Sequence, residues 1–460
     1  MQSLSSSASR FPYLVNINTG HGIQPGSWRV WKQVLARGLV HWGSPQQLRR
    51  QPAVNGIRSR TRPIIFYDIS TMPKETRASS SAASAKVKTP LEPRPSSSII
   101  LVSPDNQVLL LHRVKTSTSF ASAHVFPGGN LSDFHDGIIP PPGDASRHED
   151  SLAYRLGAIR ETFEESGILL ARQGNKKGPL LNLPTAERDE ARKAIYENAI
   201  SFEKWLESVG GVADTGKQAK LVYFFSRRAE LINYIIPDGL LPFTRWITPP
   251  HGPPKRFTTQ MYVYLLPLET SADPVLSAAQ SEALIPTADG GAEITAAHFD
   301  DAATWLAKQG RGDIILFPPQ YFLLHLLGQF LTGAPAAELG SSEKTEYYAA
   351  QREKLREFLH AVPTSAHPGA ADHPTSRIPW AEKVISPVTL GLRNADRRSI
   401  LALDKPGAEL KGSGRGGDWE RVVLVKFDKS GPSNVEVRGR EEVLAGEREA
   451  RAKEEASSKL

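Results

Sequence analysis

Cysteine is missing from all 460 residues. Disulfides, thiolate zinc sites and a cysteine nucleophile are therefore excluded together, and any metal must be held by oxygen or imidazole. Long apolar runs are missing too. A membrane helix needs about 18 uninterrupted apolar residues, and the nearest stretch, Ile314 to Leu331, is broken by Pro318, Pro319, Gln320, His325 and Gln329. It reads as a short strand followed by a buried helix, so no membrane span is expected. Acids are nearly missing from the first 71 residues, where Arg10, Arg29, Lys32, Arg37, Arg49, Arg50, Arg58, Arg60 and Arg62 face Asp68 alone. This stretch thus carries +8, and the rest of the chain sums to −1, which together give the net +7. A nucleic-acid-binding domain carries its basic excess on the folded body; here the body is neutral, and no nucleic-acid partner is expected.

What is present fits a folded α/β protein. Hydrophobic residues make up 40% and charged residues 23%, which is ordinary globular composition. Three segments are expected: a basic or disordered N-terminal extension (1–97), a main domain (98–335) and a C-terminal extension (336–460). The acid-poor start has the composition of a mitochondrial presequence, or translation begins at Met72. The chain finishes Ser458-Lys459-Leu460, an address read by the peroxisomal import receptor. Peroxisomal localisation is expected, with the mitochondrion as the alternative.

Within the main domain, Ser98–Ser103 and Gln107–His112 are apolar runs separated by Pro104-Asp105-Asn106, a hairpin signal. Ser151 to Leu170 reads as a helix, with Leu152, Leu156, Ile159 and Phe163 at 3–4 spacing and Gly167 to close it. A helix is predicted over Pro184–Val209, strands at 221–225 and 261–266, and helices at 299–308 and 319–332. A charged helix (Glu343–Ala361) follows, then strands at Ser399–Leu403, Arg421–Lys426 and Asn434–Val437. This order predicts helices covering a sheet.

The sharpest local feature is Arg160-Glu161-Thr162-Phe163-Glu164-Glu165-Ser166-Gly167-Ile168. On a helix, positions 161, 164 and 165 share one face, where like charges repel. A solvated acidic face is one reading. A divalent cation relieving the repulsion is the other, and Mg²⁺ takes oxygen ligands while keeping waters and substrate phosphates in its shell. Upstream lies Phe126-Pro127-Gly128-Gly129, where paired glycines let the backbone approach a metal or phosphate.

Together these parts resemble the box of the Nudix hydrolase superfamily. There a Gly-Gly turn precedes a helix bearing Arg-Glu, a hydrophobic residue, any residue, Glu-Glu, any residue and Gly. The resemblance covers roughly 98–335. It implies an α/β/α sandwich with a mixed sheet, a helical insertion and a C-terminal β-rich extension. Gly129 and Arg160 stand 31 positions apart instead of 14, an insertion of 17. Leu152 replaces the glutamate expected eight before the arginine, with Glu149 or Asp150 as candidate substitutes. An enlarged loop here, Trp246-Ile247-Thr248-Pro249, Arg256-Phe257 and Phe317-Pro318-Pro319-Gln320 resemble the peroxisomal acyl-coenzyme A diphosphatase branch, in which an acid usually occupies the place of Thr258.

The resemblance implies Mg²⁺ or Mn²⁺ as cofactor and a small nucleoside-diphosphate-linked substrate. Glu161, Glu164 and Glu165 are the expected metal ligands and, with Arg160, the catalytic group. Gly129 through its carbonyl and Glu293 are further ligand candidates. Gly128, Gly129, Arg113 and Arg256 are candidates for substrate contact, Arg256 equally for bracing a loop. His112 and His124 are expected to be packing residues, as are Trp246 and Phe126. Coenzyme A or acyl-coenzyme A is the expected substrate. The alternatives are a pyrophosphatase on NADH or ADP-ribose, and a Nudix-fold binding protein without turnover.

Overall fold

The structure is a computed structural model and describes residues 91–116, 121–174, 179–216, 239–250, 255–268, 286–289 and 293–458. Met72, the strand expected at 221–225, and Lys459-Leu460 of the terminal tripeptide lie outside these residues. The architecture is organised on β1 (Arg94–Val102), which is buried everywhere after its first residue. A strand covered on both faces is apolar or small throughout instead of alternating, and Ser96-Ser97-Ser98-Ile99-Ile100-Leu101-Val102 is such a run. It pairs antiparallel with β2 (Val108–Arg113) and with β4 (Gly128–Asn130), and parallel with β8 (Phe257–Leu265). Beyond β2 lie β3 (His124–Val125) and β9 (Ile294–Asp300). Beyond β8 lie β7 (Leu241–Ile247) and β10 (Val384–Ile385). The result, among the described residues, is an eight-stranded mixed sheet. A separate short pair joins β5 (Ala171–Gln173) to β6 (Gly211–Ala213).

Side chains alternate across a strand, and that alternation builds two cores. Ile99, Leu101, Leu109 and Leu111 pack against α2 (Leu152–Ser166), α3 (Thr185–Tyr196) and α4 (Phe202–Ser208); α1 (Asp133–Asp136) is a single turn between β4 and α2. Ile100, Val102, Val108 and Leu110 face the other way, toward α5 (Ala302–Arg311), α6 (Pro318–Leu327) and α7 (Ser341–His360). This is the expected sandwich. Trp246 and Phe126 are buried in the second core, as expected.

The β-rich C-terminal region also forms, as a sheet in the order β11 (Val388–Leu392), β12 (Ser399–Leu403), β13 (Asp418–Asp428), β14 (Gly431–Gly439). One face gives Leu401, Leu403, Val423, Val425 and Val435 to the α5–α7 core. The other packs Ile400, Val422 and Leu424 on Val443 of α8 (Arg440–Ser457). Trp380 joins the parts: it is 1% exposed, stacks on Phe358 at 5.2 Å, and lies 6.1 Å from Phe322 and 6.3 Å from Phe243. Arg352 of α7 ties in the hairpin turn by donating to Asn106 Oδ1 (2.7 Å), Ser103 O (2.7 Å) and Leu266 O (2.6 Å).

Four elements differ from expectation, the first being the short strand expected from Ile314 before the buried helix, which does not form. The helix predicted over 184–209 breaks into α3 and α4 because Asn198 adopts a left-handed φ of 58°. Its side chain takes a hydrogen bond from His135 Nε2 at 2.9 Å, while His135 Nδ1 accepts from the Phe202 backbone. The helix predicted from 299 starts at Ala302, and the residues before it form β9, whose Ile294-Thr-Ala-Ala-His-Phe-Asp300 sequence is mostly uncovered. The helix predicted to 332 ends at Leu327, with Gly328 as its cap.

Truncating Trp380 opens a cavity where four aromatic residues meet. Trp380→Ala is expected to cost about 3–5 kcal/mol, measured by urea unfolding followed by circular dichroism. A loss below about 1 kcal/mol would show that the C-terminal region contributes no shared core.

Candidate active site

The carboxylate helix forms where the sequence places it. Leu156, Ile159 and Phe163 of α2 are buried against the sheet, and Gly167 closes the helix with a left-handed φ of 73°, its N–H reaching Phe163 O at 2.8 Å. With that apolar stripe inward, Glu161, Glu164 and Glu165 lie toward β4. Gly128 N donates to Glu165 Oε2 at 2.8 Å. At Gly129 the requirement for glycine is steric: a Cβ would collide with the Glu161 carboxylate. The structure thus brings Glu161 and Glu165 to the Gly-Gly turn.

Arg160 organises the group. It is 4% exposed, and each of its five N–H donors has an acceptor. Nε and Nη2 make a fork with Asp136 Oδ1 and Oδ2, both at 2.9 Å. Nη1 donates to Glu161 Oε1 at 2.9 Å and Glu164 Oε1 at 3.0 Å, and Nη2 also reaches Asn130 O at 3.0 Å. Across the site, Arg113 Nη2 donates to Glu293 Oε2 at 2.7 Å, and Nη1 stands 3.6 Å from Glu165 Oε1. Glu293 is therefore part of the cluster, at the entrance to β9.

Asp136 is the residue that sequence reasoning missed. Neither candidate substitute takes the arginine: Glu149 is exposed, and Asp150 is engaged by Arg155 and by the Tyr262 hydroxyl at 2.6 Å. Counting back from Arg160 fails because the insertion follows the acid instead of preceding it. Counting forward from Gly129 reaches Asp136 at the seventh residue, one beyond the family spacing.

Arg256 is not brought here. Its Nε donates to Thr248 O at 2.9 Å, Nη1 donates to Leu91 O at 2.7 Å, and Nη2 pairs with Glu409 Oε1 at 2.6 Å. It braces the chain entering β8, and the substrate contact expected of it is corrected to that role. His112 and His124 stack on each other at 4.7 Å, and His124 lies against Trp305, as packing residues do.

Electrostatically the cluster is short of positive charge. Five carboxylates (Asp136, Glu161, Glu164, Glu165 and Glu293) meet two guanidiniums, those of Arg113 and Arg160. Burial pushes the Glu161 carboxyl up to about 7, against the pull of Arg160 and with help from the Glu164 charge. Burial also raises Glu164, and raises Glu165 further with help from Glu161. Anionic oxygen donors of this kind suit a hard divalent cation. Among the described residues no three acidic or histidine side chains are gathered as a ready ligand shell. Their oxygens are instead held by Arg160, Arg113 and Gly128 N.

No protein-family profile matches the chain. Over 151 residues it is 32% identical to the acyl-coenzyme A diphosphatase NUDT19 of Gallus gallus, covering 24% of this chain and 40% of that protein. Over 181 residues it is 27% identical to the putative nudix hydrolase 7 of Caenorhabditis elegans, covering 39% and 47%. The aligned region thus spans less than half the length of either relative. Among solved structures, a NUDIX hydrolase from Alicyclobacillus acidocaldarius is 21% identical, covering 51% of this chain and 90% of that one at a TM-score of 0.36. The MutT protein from Methanosarcina mazei Go1 is 11% identical, covering 58% and 97% at a TM-score of 0.22. With the Arg-Glu…Glu-Glu helix set against a Gly-Gly turn and these curated relatives beside it, the chain is similar to Nudix hydrolases, the acyl-coenzyme A diphosphatase among them.

Proposed function

We propose that this protein hydrolyses the diphosphate linkage of coenzyme A or an acyl-coenzyme A, releasing adenosine 3′,5′-bisphosphate and the (acyl-)4′-phosphopantetheine. The observation that carries the reading is the approach of Glu161 and Glu165 to the Gly128-Gly129 turn, with Glu161 and Glu164 held together by a fully engaged Arg160. In the reaction the oxygen of water bonds to one phosphorus and the bridging P–O bond breaks. The bridging oxygen leaves on the second phosphate, and the surplus proton goes to solvent through a carboxylate. The substrate class rests on the likeness to the diphosphatase relative and on the Trp246, Arg256-Phe257 and Phe317–Gln320 stretches.

By family analogy Glu164 and Glu165 would hold the cation, with Glu161, the Gly129 carbonyl and Glu293 as further ligands. Mg²⁺ or Mn²⁺ supplies charge neutralisation of the diphosphate and a lowered pKa for a bound water. The protein's own groups do the rest. Arg160 holds Glu161 and Glu164 in register, and Asp136 holds Arg160. Gly129 gives the Glu161 carboxylate room against the turn. Arg113 sits between Glu165 and the 41%-exposed Glu293 side chain, and it contacts a phosphate oxygen by exchanging its bond to Glu293. A guanidinium gives paired, charge-assisted bonds to phosphate.

Purified protein with Mg²⁺ or Mn²⁺, offered coenzyme A esters, NADH and ADP-ribose with products identified by mass, tests the substrate. Adenosine 3′,5′-bisphosphate from the coenzyme A esters is expected; turnover of NADH or ADP-ribose alone overturns the substrate assignment. Glu164→Gln is expected to lower kcat by at least ~10²-fold, the upper range of losses around metal ligation, and an unchanged rate removes the ligand role. Asp136→Ala strands a buried guanidinium, so stability should fall by about 3–5 kcal/mol. The milder Asp136→Asn keeps the shape, and its kcat should drop ~10–100-fold with the metal concentration for half-activity raised. An Asp136→Asn enzyme with normal metal dependence would mean that Arg160 orders the glutamates without help.

A further inference from the structure

A second charge imbalance, of opposite sign, lies at the other end of α2. Arg245 of β7 is 1% exposed. Its guanidinium lies over the Tyr154 ring at 4.4 Å, and Nη1 donates to Thr258 Oγ1 at 3.1 Å. That hydroxyl is shared with His148 Nδ1, also at 3.1 Å. Arg245 Nε and Nη2 have no hydrogen-bond partner among the described residues. These two donors form one edge of the guanidinium, the edge that binds two oxygens of a carboxylate or phosphate side by side.

The acids nearby are already committed. Glu92 pairs with Arg147 at 3.4 Å, Glu409 with Arg256 at 2.6 Å, and Asp150 with Arg155. Leaving a buried guanidinium without counter-charge is strongly unfavourable. A neutral aromatic face offsets part of that cost but accepts no N–H bond.

We propose that the open edge of Arg245, with Thr258 and His148 alongside, forms a buried anion site beside Tyr154 at the N-terminal end of α2 that takes a small oxyanion of the phosphate type. It is separate from the carboxylate cluster. Tyr154 and Glu161 are seven residues apart on α2, about 10 Å of helix rise, and no residue of one group bonds to the other. The site stands whether or not the proposed diphosphatase reaction does.

The test uses the full chain, freed of metal with chelator, in chloride buffer at constant ionic strength. Inorganic phosphate is titrated in, followed by thermal melting and calorimetry. One saturable site is expected, with Tm rising by about 2–5 °C at saturation. Glu164→Gln should keep the full response, because the carboxylate cluster is not involved. Arg245→Met should lose it. Thr258→Asp should melt higher than the parent in chloride and ignore phosphate, since a fixed carboxylate then faces Arg245. Where Arg245→Met fails to fold, Thr258→Asp decides. No phosphate response in the parent chain overturns the site. So does a response that persists in Thr258→Asp or vanishes in Glu164→Gln.

Discussion

The five donors of Arg160 set the geometry on which the functional reading depends. Three glutamates on one helical stripe repel one another and, left alone, would spread toward solvent. Arg160 draws two of them together, and it can do so because Asp136 takes up its other edge below the surface. The fork is planar and rigid. Fixing one edge to Asp136 therefore fixes where the opposite edge presents Glu161 and Glu164. Glu165, out of reach of Arg160, is held by the Gly128 amide. The acidic stripe is consequently an ordered wall facing the turn.

That wall needs a firm support. The sheet supplies it through β1, whose two faces feed two cores, so neither α2 nor β4 can shift without disturbing packed side chains. The C-terminal region adds to the same support: β10 extends the sheet beside β7, and Trp380 fills the second core. Its contribution is mechanical, for among the described residues no side chain of that region bonds to the carboxylate cluster.

Much of this was legible in the sequence where the signal is local. The 3–4 spacing of Leu156, Ile159 and Phe163 fixed which face of α2 is buried, and so which face carries the glutamates. The Pro-Asp-Asn break gave the β1–β2 hairpin. What escaped depends on contacts distant in sequence. Asp136 is 24 residues before its partner, across an insertion whose position no spacing rule reveals. Asn198 breaks a helix that propensity would continue, because His135 rewards the turn. The β9 strand is polar and mostly uncovered, so it lacks the alternation that marks a half-buried strand. Arg256 shows the converse: an arginine near a site by motif is spent on carbonyls once the chain folds.

The two ends of α2 state one physical rule with opposite signs. Around Glu161, Glu164 and Glu165, anionic groups outnumber cations even after Arg113 and Arg160 are counted. Around Arg245, a guanidinium edge lies buried with every neighbouring buried acid already paired. A folded chain tolerates such an imbalance only where something outside the chain completes it or where the remaining structure overrides its cost. At the carboxylate end the neighbouring side chains partly stand in for the missing partner, since Arg160 and Arg113 occupy the oxygens a cation would need. A cation seating there would trade ion pairs for metal bonds, with Arg160 still anchored by Asp136. At the arginine end no described side chain accepts from the open edge of Arg245. The first arrangement suits a site whose occupants turn over with each catalytic cycle, and the second suits one whose occupant stays.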